Sequence, residues 1–106
     1  MDTLERNILD KFKALLLKRL PLHKMILFGS RARGDAATYS DMDVLVILNK
    51  ASGEQDYEYV SDCAWEAGFK HGIIVVPVVF TREEWEDSPE RYSLLAQAVK
   101  EEGVLI

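Results

Sequence analysis

Two short stretches of this chain carry residue types and spacings suited to chemistry. The first is Gly29-Ser30, directly after the apolar run Met25-Ile26-Leu27-Phe28. A residue without Cβ at the end of a strand lets backbone N–H groups approach a phosphate closely. Ser30 adds a hydroxyl, and the N-terminus of a helical turn over Arg31 to Gly34 would add partial positive charge. Alone, a Gly-Ser pair after a strand is an ordinary turn. The second stretch is Ser40-Asp41-Met42-Asp43, which opens the apolar run Val44 to Leu48. In a strand, residues i and i+2 point to the same side, so both carboxylates face one site. Like charges so close repel unless something neutralises them, and a divalent cation does. Oxygen ligands favour Mg²⁺ or Mn²⁺ over zinc. The plainer alternative is a solvated strand entry with Ser40 and Asp41 in an Asx-type turn. That alternative explains neither the preceding Gly-Ser turn nor Asp43 at the head of so apolar a strand. Taken together, the two stretches are suited to Mg²⁺-dependent chemistry on a nucleoside triphosphate.

The surrounding elements must hold these residues in place. Leu4, Ile8, Phe12, Leu15 and Leu16 recur at helical spacing and predict a helix over residues 3–19, with Thr3 as its N-cap and Pro21 ending it. Residues 24–28 read as a short strand. Met42 to Leu48 reads as a second, and its near-continuous Val, Leu and Ile content implies burial on both faces. After the loop Asn49 to Gly53, residues 54–70 read as a helix stopped by Gly72, with Tyr57, Val60, Ala64, Ala67 and His71 along one face. Residues 73–80 (IIVVPVVF) predict a third strand, and Pro77 within it implies an edge position or a bulge. Thr81 and Glu84 are spaced as a capping box for a short helix, and Ser88-Pro89 opens a last helix through Lys100. Gly103 ends that helix and leaves the apolar tail Val104 to Ile106, suited to the sheet edge or to a dimer contact. The expected fold class is α/β (α+β), with a small mixed sheet of three to four strands flanked by helices.

At 106 residues the expectation is one domain over 1–106. No apolar run approaches the roughly 18 residues of a membrane span, and the polar start is unlike a signal peptide. The lone Cys63 has no internal disulfide partner, which fits a cytoplasmic protein. The net charge of −5 argues against a general nucleic-acid binder. The charge is uneven, however: residues 1–33 hold eight Lys and Arg against three Asp and Glu, and residues 34–106 hold five against fifteen. A basic end and an acidic remainder suit an anionic ligand at one edge and a protein partner elsewhere; a solvated basic helix face is the plain alternative.

Gly29, Ser30, Ala32, Arg33 and Gly34, a spacer, then Ser40, Asp41 and Asp43 before Val44-Leu45-Val46 resemble the signature of the DNA polymerase β-like nucleotidyltransferase superfamily. The length and the expected single domain resemble the minimal nucleotidyltransferases (MNT) of bacteria and archaea, and the element order and the ending E-E-G-V-L-I extend the likeness to nearly the whole chain. The resemblance implies a nucleotidyltransferase fold, with Gly29 and Ser30 holding the β- and γ-phosphates. It implies that Asp41 and Asp43 bind Mg²⁺ or Mn²⁺ and act in catalysis, with ATP or another NTP as substrate. Arg33 is expected either on phosphate or, preferably, anchoring the turn to a carboxylate. Such proteins often accompany a small helical HEPN protein, some as antitoxins that adenylylate it. A homo-oligomer is left open.

One feature departs from the family pattern. Catalytic members carry a third acid on the next core strand, and residues 73–80 contain none; Ile74 and Val76 occupy the best-placed positions. Asp62, Glu66 and Glu83 are the nearest acids in sequence. Two readings therefore stand: a transferase moving NMP, AMP by preference, onto a hydroxyl of a protein or small molecule, and a weak or inactive nucleotidyltransferase-fold binding module acting through a partner. His23 and His71 are expected at the surface or capping, and Cys63 packed. Trp65 and Trp85 are expected in core or edge packing, with a partner surface as the alternative, and the acid run Glu83, Glu84, Glu86, Asp87, Glu90 on a solvated face.

Overall fold

The computed structural model describes residues 1–37, 40–50, 53–87 and 93–106. Helix α1 (Thr3–Leu17) is followed by strand β1 (Leu22–Phe28), the short helix α2 (Ser30–Arg33) and strand β2 (Met42–Leu48). Helix α3 (Glu54–Phe69) leads to strand β3 (Val75–Thr81), then come α4 (Arg82–Asp87), α5 (Leu94–Glu102) and strand β4 (Val104–Leu105). The sheet order is β3-β2-β1-β4. β1 runs antiparallel to both β2 and β4, while β2 and β3 are parallel through the α3 crossover.

The mixed α+β layering follows from the strand pattern. Val44 to Leu48 are all buried because β2 is covered on both faces. Met25, Leu27, Met42, Val44, Val46 and Leu48 point into one core with Ile8, Leu9, Phe12 and Leu16 of α1 and Val60, Cys63, Ala64 and Ala67 of α3. Leu45 and Ile47, on the alternate face, pack with Ile26, Phe28, Val78, Phe80, Trp85 and Val99. Full burial of a side chain such as Phe12 contributes about 1.5–3 kcal/mol relative to exposure. Asp41 and Asp43 share the parity of Leu45 and Ile47, so they belong to the second face, at the entry to β2.

Several boundaries differ from the sequence expectation, each for a local reason. The N-cap of α1 is Asp2 rather than Thr3. Its carboxylate accepts from Glu5 N–H at 2.7 Å and Glu5 accepts from Asp2 N–H at 2.9 Å, a reciprocal box that Thr3 would start one residue late. α1 ends at Leu17, before Pro21, because Leu20 and Arg19 N–H groups close tight turns onto Leu16. β1 begins at Leu22, and β3 begins at Val75 rather than at residue 73. Ile73 instead donates its N–H to Gly68 and closes α3. The last helix begins at Leu94, with Ser93 Oγ accepting from Ala96 N–H, and runs to Glu102; Ser88 and Pro89 lie outside the described residues. The Thr81–Glu84 capping box forms in both directions, at 2.9 and 3.1 Å. Pro77 lies on an edge strand, where it removes a donor that no neighbouring strand needs. The tail Val104 to Ile106 packs on the sheet edge as β4.

Gly68 marks the tightest helix–strand approach. A Cβ there would fall inside contact distance of the Ile73 carbonyl oxygen, a backbone atom that cannot swing away. Alanine would gain about 1 kcal/mol of helix propensity but incur an overpacking cost of about 1–3 kcal/mol or more. Gly68→Ala is therefore expected to be net destabilising in urea denaturation; a midpoint at or above wild type would contradict the close approach.

Candidate functional site

The site is assembled where β1 ends and β2 begins. Phe28 is paired with Asp43 across the two antiparallel strands, so the turn after β1 sits over the carboxylate. Gly29 has φ +79°, a region open to glycine, and a Cβ there would lie 2.5 Å from Asp43 Oδ2. The glycine is required twice, by conformation and by the approach of the carboxylate. Its carbonyl accepts from Ala32 and Arg33 N–H at 3.0 and 3.1 Å and so starts α2. Gly34, left-handed, ends α2 with its N–H on the Ser30 carbonyl. Ser30 is half-buried at the mouth of this turn.

Two arginines hold the turn, and they do different things. Arg31 is buried, with Nη1 2.9 Å from Glu5 Oε2 and Nε donating to the Ser40 carbonyl at 2.9 Å. It links α1, the turn and the residue just before Asp41. Burying that charge is tolerable only because it is paired and hydrogen-bonded. Arg33 is exposed and anchored by carboxylates: Nε to Asp35 at 3.2 Å and Nη1 to Glu102 at 3.0 Å. The hydrogen bond it donates to Glu102, then that to Asp35, raises its pKa. Both of these Arg33 partners are carboxylates of the chain itself.

Asp43 is half-buried and Asp41 exposed. Burial pushes the Asp43 carboxyl above its ordinary range; the Asp41 charge adds to the rise and Arg33 offsets part of it. Two oxygen-donor side chains, one destabilised by burial and by its neighbour, form a donor set that fits a hard divalent cation. Among the described residues no cluster of three or more His, Cys, Asp or Glu side chains is arranged to hold a metal. The β2–β3 register explains why: Val76 lies beside Asp43, and the Ile74 carbonyl accepts from Met42 N–H at 2.9 Å. Asp62 and Glu66 are on exposed positions of α3, and Glu83 lies on α4.

The other candidate residues sit elsewhere. His71 follows α3 and is exposed, while His23 on β1 lies 3.9 Å from Glu86. Cys63 is buried, its thiol pushed up chiefly by that burial. Trp85 packs against Phe80, with ring centroids 5.4 Å apart. Trp65 departs from the core expectation: it is 65% exposed and stacks on Phe69, itself 62% exposed, at 4.4 Å. With Ile74 (65% exposed), Gly72 and Pro77 these rings line an apolar groove of about 340 Å³ against β3. In the acid run Glu84 caps α4 and Glu86 pairs with Arg82; Glu90 lies outside the described residues. Sequence reasoning missed Arg31, Glu5 and Glu102. The first two are ordinary helix-surface residues by type, and Glu102 is distant in sequence from the turn it touches.

Residues 6–105 match the profile of the nucleotidyltransferase domain. The chain belongs to that family. Two Methanocaldococcus jannaschii relatives carry the name "putative protein adenylyltransferase". One is 36% identical over 80 residues, covering 74% of this chain and 75% of the relative; the other is 35% identical over 77 residues, covering 69% and 52%. Among solved structures, a chain of a toxin–antitoxin with AMP-PNP superposes with TM-score 0.64 at 21% identity, covering 91% of this chain and 69% of that one. A chain from the complex of tri-AMPylated Shewanella oneidensis HEPN toxin with MNT antitoxin gives TM-score 0.59 at 17% identity, covering 97% and 71%. At these identities the structural likeness establishes the fold, a nucleotidyltransferase fold.

The Asp43 environment has a measurable consequence for the metal-free protein. A carboxyl whose folded pKa lies above its unfolded value is disfavoured when ionised in the fold. The penalty is absent below the unfolded pKa, grows as pH rises, and is fully present above the folded pKa. Asp43→Asn is therefore expected to raise the urea midpoint of metal-free protein at pH 7, the difference vanishing in acid. A lower midpoint for the variant at pH 7 would contradict this.

Proposed function

We propose that this nucleotidyltransferase moves a nucleoside monophosphate, AMP by preference, from an Mg²⁺-bound triphosphate to a hydroxyl of a protein or small molecule. We also propose that it serves as the antitoxin half of a pair with a small helical HEPN-type protein. The observation that carries the reading is Asp43 held against the Gly29–Ser30 turn. The adenylyltransferase names of the relatives and the AMP-PNP and AMPylated complexes of the structural neighbours support AMP and a protein acceptor.

In this reading Ser30 Oγ and the N–H groups opening α2 hold the β- and γ-phosphates, and Gly29 contributes the clearance that brings them near Asp43. Asp41 and Asp43 hold the cation. Mg²⁺ bound there would supply charge neutralisation for the transfer. The acceptor oxygen attacks the α-phosphorus in line, the bond to the α,β-bridging oxygen breaks, and pyrophosphate leaves. The acceptor proton must go to water or a phosphate oxygen, because Val76 stands where a third carboxylate would take it. Arg33 keeps its anchoring role. The groove formed by Trp65, Phe69, Ile74 and Pro77, on the α3 face of β3, supports a protein partner, since contiguous exposed apolar surface marks interaction sites.

A second reading has a specific observation behind it. Val76 beside Asp43 removes general-base help worth ~10²–10⁴ in rate, which suits a binding module that acts through a partner with little turnover.

Calorimetric titration of ATP with and without Mg²⁺ tests the site without knowledge of the acceptor. Mg²⁺-dependent binding is expected, weakened at least about tenfold in Asp43→Asn. Binding that ignores both Mg²⁺ and the substitution would sink the metal assignment. Val76→Asp installs an acid beside Asp43 and is expected to raise AMP transfer to water, read as AMP and pyrophosphate released from MgATP, by about 10²-fold. Unchanged turnover in that variant would mean that the absent acid does not limit the rate.

A further inference from the structure

One side chain joins the last turn of α5 to the Gly29–Ser30 turn. Glu102 Oε1 accepts from Gly29 N–H at 3.2 Å, and its Oε2 accepts from Arg33 Nη1 at 3.0 Å. The two donors stand at opposite ends of α2, so a single carboxylate spans that helix. The Glu102 side chain is 18% exposed, shielded enough for both bonds to persist against water.

Strand geometry explains why an acceptor is needed there. Ile106 N–H donates to the Met25 carbonyl, and Leu27 lies opposite Val104. Backbone polar groups alternate sides along a strand, so after Met25 and Leu27 the next N–H facing the β4 side belongs to Gly29. At that point β4 has ended and the chain has become α5. Glu102 therefore supplies from a side chain the acceptor that a longer β4 would supply from its backbone. The junction is held firmly. Gly103 N–H donates to the Val99 carbonyl at 2.8 Å, and a Cβ at Gly103 would lie 2.8 Å from Ile26 Cγ2. Beyond β4, Lys13 Nζ donates to the Ile106 carbonyl at 2.9 Å.

We infer that Glu102 is a positioning residue for nucleotide binding, holding the Gly29–Ser30 turn against Asp43 from the far edge of β1. The inference rests on the reading of Ser30, Asp41 and Asp43 as the triphosphate site. A carboxylate that merely stood in for phosphate would have to be displaced by nucleotide. The geometry speaks against that: Gly29 N–H faces β4, whereas Asp43 belongs to β2 on the opposite edge of β1. Glu102 acts on the turn from behind. Through this carboxylate the C-terminal segment bears on the site.

Two substitutions separate the contacts. Glu102→Gln keeps an oxygen acceptor for Gly29 N–H and loses the charge facing Arg33; Glu102→Ala loses both. Amide hydrogen exchange of the nucleotide-free chain reads the turn, and MgATP calorimetry reads the site. Gly29 is expected to be protected in wild type and Glu102→Gln, and to exchange at least about tenfold faster in Glu102→Ala. The MgATP Kd is expected to rise about tenfold in Glu102→Ala and to stay within about threefold of wild type in Glu102→Gln. A carboxylate that only stabilised the fold would lower the urea midpoint without moving the Kd, and that result would overturn the inference. So would tighter binding by Glu102→Ala, the signature of a displaced phosphate mimic. If Glu102→Ala fails to fold, Glu102→Asp, one methylene shorter, takes its place with the same expected loss. Wild type with Gly29 protected but no MgATP binding at millimolar concentration would overturn the nucleotide reading and the positioning role together. Wild-type affinity in the Ala or Asp variant would overturn the positioning role alone.

Discussion

Phe28 lies opposite Asp43, and much of the candidate site follows from that pairing between β1 and β2. The antiparallel register sets the last residue of one strand against the carboxylate near the start of the other. The next residue then has to turn within reach of that carboxylate, and only glycine leaves room for Asp43 Oδ2 while adopting a positive φ. A slip of one residue would turn Asp43 to the opposite face of the sheet, among the side chains packed under α1 and α3. The buried apolar side chains on both faces of β2 make such a slip expensive. The core of the sheet and the geometry of the turn are thus one constraint.

The charges around the turn are arranged to oppose its natural looseness. Arg31 reaches inward to Glu5 and to the Ser40 carbonyl, which fixes the turn to the first helix and to the entrance of β2. Arg33 reaches outward to Asp35 and Glu102, which ties it to the last helix. The two arginines are two residues apart on a helix of one turn, so they leave it in different directions and brace it on two sides. Exposed pairs such as Arg33–Asp35 contribute little individually, whereas the buried Arg31–Glu5 pair would be costly to break by removing one partner. Beside them, burial and the Asp41 charge push the Asp43 carboxyl up, and Arg33 offsets only part of the rise. Such tension fits a site suited to a further cation rather than a structural ion pair.

The neighbour of Asp43 on β3 separates this chain from the pattern its motif suggests. Val76 stands beside the carboxylate, and the strand carrying it borders an apolar groove with stacked, exposed aromatics. Alternation along β3 separates the two features: Val76 shares the face of Asp43, whereas Val75 and Pro77, which line the groove, belong to the α3 face.

Local pattern determined much of this protein. The Gly29-Ser30 and Asp41/Asp43 spacing, the uninterrupted apolar run of β2, the edge position implied by Pro77 and the Thr81–Glu84 capping box are short-range features. Each depends on backbone geometry a few residues either way, and each is legible from residue order. Helix boundaries were less so: Asp2 outcompeted Thr3 as N-cap because its partner Glu5 is three residues on, and α1 stopped short of Pro21 through tight turns onto Leu16. What only the tertiary structure decided are the contacts between distant segments. Arg31 meets Glu5 across 26 residues and Gly29 meets Glu102 across 73. Nothing in an arginine or a glutamate announces its partner, because a charged side chain reads alike on a solvated face and in a bridge. The identity of that partner is set by which elements the sheet order brings to one edge, and that order arises from burying both faces of β2 at once.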